Sequence, residues 1–448
     1  MTETATGKAP FDLTELAMFV TTDIAGITRG RSFAASEIDD YMRKGVGWVP
    51  ANLALTPFDE IAEANPWGSA GDLRLMAGPE SRVRVTCLPD ATPLHFYHAD
   101  ITDLGGNPWD CCVRSFLKRT LEEFEREAGL KVVAAVEQEF QLLGVDWPEA
   151  PSFSLRAQRR ADPFGPLLMT ALEEAGAEPE MFLPEYGKDQ FEITCRAADA
   201  LIAADRGATI RIIAREVAAL FGWHASFAPK TSPEGVGNGV HLHVSFTDLD
   251  GNPATFDPSR PGRLSAVAGA FAAGVIRHLP AIAAFTAPSV LSYSRLVPHH
   301  WSAAYTCLGE KNREATLRIC PTLDIAGSNP ARQFNMEYRA ADACASPHLS
   351  LAVVLKAGLE GIRAGLDQPP LVNSDPSELS AEEQQRLGIC RLPESLGEAL
   401  DTLAEDEVVT GWFAKEFLDC YVAMKRKEIG IVEDLSADEL CSRYAAVY

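Results

Sequence analysis

Glu137 and Glu139 stand two residues apart in VVAAVEQEFQL, a segment whose alternate positions are Val132, Ala134, Val136, Phe140 and Leu142. A strand sends successive side chains to opposite faces, so the two carboxylates lie side by side above an apolar underside. The same division recurs along the chain. GVHLHVSFT sets His241, His243, Ser245 and Thr247 against Val240, Leu242, Val244 and Phe246. QFEIT sets Gln190 and Glu192 against Phe191 and Ile193, and EATLRIC sets Thr316 and Arg318 against Leu317 and Ile319. NMEYR sets Asn335, Glu337 and Arg339 against Met336 and Tyr338. One such strand alone reads as an amphipathic sheet edge with a wet face. Together they do not, because like charges side by side repel and a glutamate pair is tolerated mainly where cations compensate it. Glu and His suit hard divalent ions such as Mg²⁺ or Mn²⁺. Arg suits carboxylate or phosphate, which its planar fork binds bidentately. Metal-binding carboxylates in company with several arginines are what phosphoryl transfer from a nucleotide requires.

Neither common phosphate loop is present. There is no GxxxxGK[ST], and Gly235, Gly237 and Gly239 miss the GxGxxG spacing and enter a strand where a dinucleotide fold needs a helix. The elements that must hold the chemistry follow from periodicity. Residues 16–88 read as short strands, AMFVTTD, GWVPANLAL, DLRLMAG and RVRVTCL. The last sets Val83, Val85 and Cys87 against Arg82, Arg84 and Thr86. A second region begins near Gly105 with a helix over residues 113–128, striped by Phe116, Leu117, Leu121 and Phe124. Strands and helices then mix as far as Leu349, and the remainder reads as helical, with capping boxes at Ser380/Glu383 and Ser436/Glu439.

At 448 residues the chain exceeds the size at which one core stops growing, so two or more domains are expected. No apolar stretch is read as approaching the roughly 20 residues of a membrane span. Residues 1–10 lack the layout of a signal peptide, and a cytoplasmic location is expected. The ten cysteines, Cys111 and Cys112 adjacent and the rest scattered, show no zinc spacing and read as buried free thiols. Net charge is −23, from 40 basic and 63 acidic residues, which disfavours nucleic acid and anionic membranes as partners.

VEQEF resembles the paired-glutamate strand of the glutamine synthetases, and EMFLPEYGKDQFE at residues 180–192 resembles their second glutamate segment. GVGNGVHLHVS resembles their glycine-rich loop and HxHxS strand, and SRLVP, NREATLRI and FNMEYR resemble the three arginine-bearing segments that follow. Order and spacing agree over nearly the whole chain. The resemblance implies an α+β fold: a small N-terminal β-grasp domain over 1–105, then a catalytic domain over 106–448 with a curved antiparallel sheet and helices. It implies a ring-shaped homo-oligomer, a dodecamer, in which a neighbour's N-terminal domain completes each site. Position by position, it implies one metal held by Glu139, Glu185 and Glu192 and another by Glu137, His241 and Glu337. ATP as co-substrate would meet Glu180, His243, Ser245, Arg318 and Arg332. Glutamate would meet Gly237, Arg295, Arg313 and Arg339, with Arg295, Arg313 and Glu337 in catalytic roles. The implied reaction joins the γ-carboxylate of glutamate to an amine through γ-glutamyl phosphate.

Two departures bear on the amine. Family members that use ammonium carry a glutamate where Trp301 follows Arg295-Leu-Val-Pro-His-His, and an aspartate where WVPANLAL places Val49. Loss of both anions and gain of an indole favour an apolar or aromatic amine over a cation. Val236 replaces a usual asparagine, and no NLY segment carries the tyrosine adenylylated in some bacterial relatives. The expectation is an ATP-dependent γ-glutamyl amide ligase acting on a hydrophobic or aromatic monoamine, as the first step in degrading or detoxifying it. An ordinary ammonium-using glutamine synthetase is the runner-up. A polyamine ligase stands third, since a polycation would want an acidic pocket. An inactive structural or regulatory member is the alternative of another class. Against it, all six metal-ligand positions keep metal-competent side chains.

Overall fold

The computed structural model describes residues 13–300 and 302–448. Its first sheet is built from β1 (Leu16–Thr22), β2 (Thr28–Ala34), β3 (Val46–Trp48), β4 (Leu73–Val85) and β5 (Leu94–Thr102), in the order β2-β1-β5-β4-β3. β1 and β5 run parallel and the other pairs antiparallel. Three details differ from the expectation. GWVPANLAL is a strand only to Trp48 and continues as a 3₁₀ helix, Pro50–Ala54, because Pro50 has no N–H for a ladder and suits a first helical turn. DLRLMAG and RVRVTCL are one strand, β4, whose pairing with β5 shifts register between Ala77 and Arg82. β5 itself was hidden by polar residues that the fold buries, among them His95 and His98.

The second sheet comprises β6 (Leu130–Leu143), β7 (Pro179–Pro184), β8 (Gln190–Cys195), β9 (Ala198–Asp199), β10 (His224–Ser226), β11 (Val240–Asp248), β12 (Tyr305–Glu310), β13 (Ala315–Ile319) and β14 (Met336–Ala341). Its order is β12-β13-β14-β11-β6-β8-β7, with β9 and β10 also pairing to β6. Within this second sheet, among the described residues, the β12–β13 pair is the only parallel one between its strands. Under β6, the side chains of Val132, Ala134, Val136, Phe140 and Leu142 are buried. The helix Val113–Glu123, continuing as a π-helical turn Phe124–Ala128, supplies Phe116, Leu117 and Phe124 to the same core. Gln138 also lies on this underside. It is satisfied there, with Nε2 donating to Gly207 O at 2.7 Å and Oε1 accepting from Arg211 Nε at 2.6 Å.

One expectation is corrected outright. Helix Ala266–Thr286 is long and apolar enough to cross a membrane, but 72% of that stretch is buried inside the protein. It is apolar on most of its surface because neighbours cover most of it, chiefly the helix Pro347–Arg363, while Arg277 stays exposed. That crossing is close: a Cβ on Gly361 would lie 2.1 Å from the Ala270 carbonyl oxygen. Beyond it the chain is helical through Lys415–Val432 and Ala437–Ala445, and both capping boxes form. All ten cysteines are free.

Candidate active site

Strand register assembles the chemistry. Glu139 of β6 is paired with Glu192 of β8, and Glu137 of β6 with His241 of β11. His243 of β11 is paired with Glu337 of β14, which is paired in turn with Arg318 of β13. Each strand's apolar underside forces these residues to the opposite face, where they meet laterally. His241 Nδ1 lies 2.7 Å from Glu137 Oε1 and 3.4 Å from Glu337 Oε1, and His243 Nε2 lies 3.3 Å from Glu137 Oε2. Donor atoms of Glu137, His243 and Glu337 all fall within 4.8 Å of one another. Arg318 Nη1 donates to Glu337 Oε2 at 2.7 Å, and Arg339 Nη1 bonds the other oxygen. The Gly239 N–H donates to Glu139 Oε2 at 2.6 Å.

The carboxylates divide electrostatically. Burial opposes ionisation of Glu337, but Arg339 with His241 and His243 outweighs it and holds the group at about 2. Burial likewise opposes Glu137, and its bonds to the two histidines keep it well below the usual range. Glu185 is raised to about 7 by burial and by Glu139. Glu192 is raised to about 10 by burial and by Glu137 and Glu139. Glu137 and Glu337 are thus held ionised by neighbouring side chains, while burial and neighbouring carboxylates push Glu185 and Glu192 towards the neutral form. Oxygen and imidazole donors in this arrangement fit hard divalent ions, whose charge would relieve the crowding.

These groups line a cavity of about 480 Å³. Its walls include Glu137, Glu139, Glu185, Glu192, His241 and Glu337, the positions expected to hold metal, and Gly237, Arg295, Arg313 and Arg339, expected to meet glutamate. Arg295 is buried, with Nη2 donating to Arg339 O at 3.2 Å and Nη1 without a partner among the described residues. A Cβ at Gly239 would stand 2.4 Å from that Nη2, so the guanidinium requires the glycine. A second cavity of about 470 Å³ takes in Glu180, Ser245 and Arg332, with Met181 and Phe334 as apolar walls. Glu137 and His243 line both cavities. Arg318 faces the first cavity and not the second. Val49 is half-buried before the 3₁₀ helix Pro50–Ala54 and lines neither. Trp301 lies outside the described residues.

The family profile for the glutamine synthetase catalytic domain matches residues 110–443, and that for the glutamine synthetase N-terminal domain matches residues 4–109. The chain belongs to the glutamine synthetase family. It is similar to gamma-glutamylpolyamine synthetase GlnA3 of Streptomyces coelicolor, 32% identical over 436 residues that cover 95% of this chain and 92% of that protein. Glutamine synthetase of Pyrococcus woesei is 33% identical over 402 residues, covering 88% and 86%. A crystal structure of a novel glutamine synthase homolog superposes with a TM-score of 0.91 at 48% identity, covering 98% of this chain and all of the other. The ADP complex of GmaS superposes with a TM-score of 0.79 at 26% identity, covering 95% of each chain.

In this member of the glutamine synthetase family, several cavity residues were given no role from the sequence. Gln190 was placed there only on the strand face of Glu192. It fastens the glycine loop through Nε2 to Gly237 O at 2.8 Å and to Asn238 Oδ1 at 2.9 Å. Lys230, Tyr186, Phe153 and His300 sit in loops and turns, where no periodicity marks a face. Cys320, just past β13, approaches Glu337 Oε2 at 3.7 Å and His243 Nδ1 at 3.8 Å.

Proposed function

We propose that this glutamine synthetase family ligase is a glutamate–amine ligase that forms a γ-glutamyl amide from glutamate, ATP and an organic amine. One observation carries the reading. The cluster of Glu137, His243 and Glu337 stands between an arginine-lined cavity and a second cleft, and two of its members line both. Phosphoryl transfer needs metal-binding and cationic groups positioned at the transferred phosphoryl group, which such a cluster and its arginines supply.

In this reading Glu139, Glu185 and Glu192 hold one divalent ion, Mg²⁺ or Mn²⁺, and Glu137, His241 and Glu337 another. Bound there, such ions would balance the negative charge of the phosphoryl oxygens. Glu180, His243, Ser245 and Arg332 line the nucleotide cleft, with Arg318 reaching the phosphates from the other cavity. Arg295, whose buried Nη1 awaits an acceptor, binds glutamate together with Arg313, Arg339 and the backbone at Gly237. The γ-carboxylate oxygen attacks the terminal phosphorus of ATP, releasing ADP and giving γ-glutamyl phosphate. The amine nitrogen then attacks the acyl carbon, gives up a proton and expels phosphate. The absence of two carboxylates at Val49 and Trp301 supports a hydrophobic monoamine over ammonium.

A ring-shaped homo-oligomer, a dodecamer in the family's manner, accords with this scheme, because Val49 lines neither cavity of its own chain. The division into 1–105 and 106–448 accords with β5 ending at Thr102 and with family profiles that meet between residues 109 and 110. Ten free thiols suit a cytoplasmic setting. The test is phosphate release with saturating glutamate and ATP, comparing ammonium, putrescine, a short alkylamine and an aromatic amine. Ammonium emerging as the best substrate restores ordinary glutamine synthetase. Putrescine emerging as best favours the polyamine activity named for the Streptomyces coelicolor relative.

A further inference from the structure

The most exposed lining of the first cavity includes apolar side chains, unlike its buried part of glutamate, histidine and arginine. Phe153, Tyr186 and Val236 are 49%, 53% and 44% exposed, with Leu183 beside them, and they share the cavity mouth with the exposed His300 and Arg313. The two rings meet edge to face, with centroids 4.7 Å apart and planes at 81°. Phe153 occupies the third position of a turn closed by the Ser154 N–H donating to Pro151 O at 3.2 Å. Its φ of 58° is left-handed, a conformation that the third turn position ordinarily gives to Gly or Asn. A bulky aromatic in that conformation is strained, and a half-exposed ring gains too little burial to account for keeping it there. Strain of this sort collects where a side chain must be aimed at a ligand.

Resting on the glutamate–amine ligase reading, we infer that Phe153 and Tyr186 form an aromatic clamp that receives the organic group of the amine and so selects apolar, preferably aromatic, amines. A flat apolar group gains contact area and stacking against two rings and a valine. Ammonium has no such group to offer. A distal ammonium would seek a carboxylate or an open ring face, and in an edge-to-face pair one ring already covers a face of the other.

The test uses the full-length protein and two variants, Phe153→Gly and Tyr186→Ala. Glycine adopts the left-handed backbone without strain, so the melting temperature of Phe153→Gly should equal or exceed that of the wild type. The readout is the KM for benzylamine relative to that for hydroxylamine, a nucleophile without an organic group. Each variant should raise that ratio by about tenfold or more, the scale of one lost apolar contact. An unchanged ratio in both variants overturns the clamp. So does a loss of oligomer with the ratio intact, which would make the rings a subunit contact. So does a selective loss of putrescine affinity, which would make them a cation site. A wild type that makes no amide from any organic amine overturns the ligase reading itself, and the clamp with it.

Discussion

Glu139 accepts a backbone hydrogen bond from Gly239 and faces Glu192 across the ladder, with Glu185 close enough to feel its charge. If it holds metal as proposed, removing it should strip a ligand while easing repulsion among the carboxylates that remain. Glu139→Ala is expected to cut turnover by on the order of 10²-fold or more, since even partners behind a metal ligand cost 10 to 100-fold. Thermal melts with and without Mn²⁺ check it: the wild type should gain stability from the ion and the variant should gain less. A wild type indifferent to Mn²⁺ and Mg²⁺ would refute the metal assignment. The amine side gives a second expectation, this one for a pair of residues. Trp301→Glu combined with Val49→Asp should raise ammonium use and weaken use of a bulky amine. The added carboxylates offer counter-charge and a general base, and general-base help is typically worth about 10²–10⁴-fold.

The strands that carry the chemistry were readable because their period-two faces hold opposite kinds of residue. VVAAVEQEFQL, GVHLHVSFT and QFEIT became β6, β11 and β8 with the inward and outward faces as read. What periodicity does not mark was lost. β5 buries His95 and His98, so its polar residues broke the alternation, and Phe153 and Lys230 sit in loops. Helix Ala266–Thr286 was missed as a long apolar stretch because Arg277, His278 and Pro280 interrupt its run of apolar residues. Its crossing with Pro347–Arg363 can be tested directly. Gly361→Ala puts a methyl group against the backbone oxygen of Ala270, where no flexible side chain can yield. A loss of about 1–3 kcal/mol is expected, read as a lower urea midpoint.

Over the whole molecule, a buried polar junction ties β5 of the first sheet to the helices that follow it. His98 of β5 bonds Thr209 at 2.9 Å, and Arg114 bridges Asp100 of β5 to Asp205 of helix Ala200–Leu220, at 3.0 Å and 2.8 Å. His348 Nε2 bonds Asp205 at 2.7 Å. Burial lowers His98 to about 4, despite the nearby Asp205 carboxylate. The unfolded chain takes up this proton near 6.5 and the folded one does not, so stability falls as pH drops from about 6.5 towards about 4 and then levels off. Between pH 7 and pH 5 this one group should account for about 2 kcal/mol. Urea titrations at both values check it, and His98→Gln should flatten the difference. The ring assembly is checked by light scattering: a fully active monomer at micromolar concentration would contradict it.

The pairing of Glu137 with His241, Glu139 with Glu192 and His243 with Glu337 brings together residues far apart along the chain. No single hairpin holds a usable set of donors. Ion binding therefore reports on the completed topology and not on any local piece of it. During refolding from urea, the far-ultraviolet signal of helices should return before the capacity to bind Mn²⁺, because distant strand pairings close late. A chain trapped one residue out of register would keep its strands yet turn every donor in the slipped strand into the core. Mn²⁺ added early in refolding should then act as a selector, draining the correctly threaded population and raising the final yield.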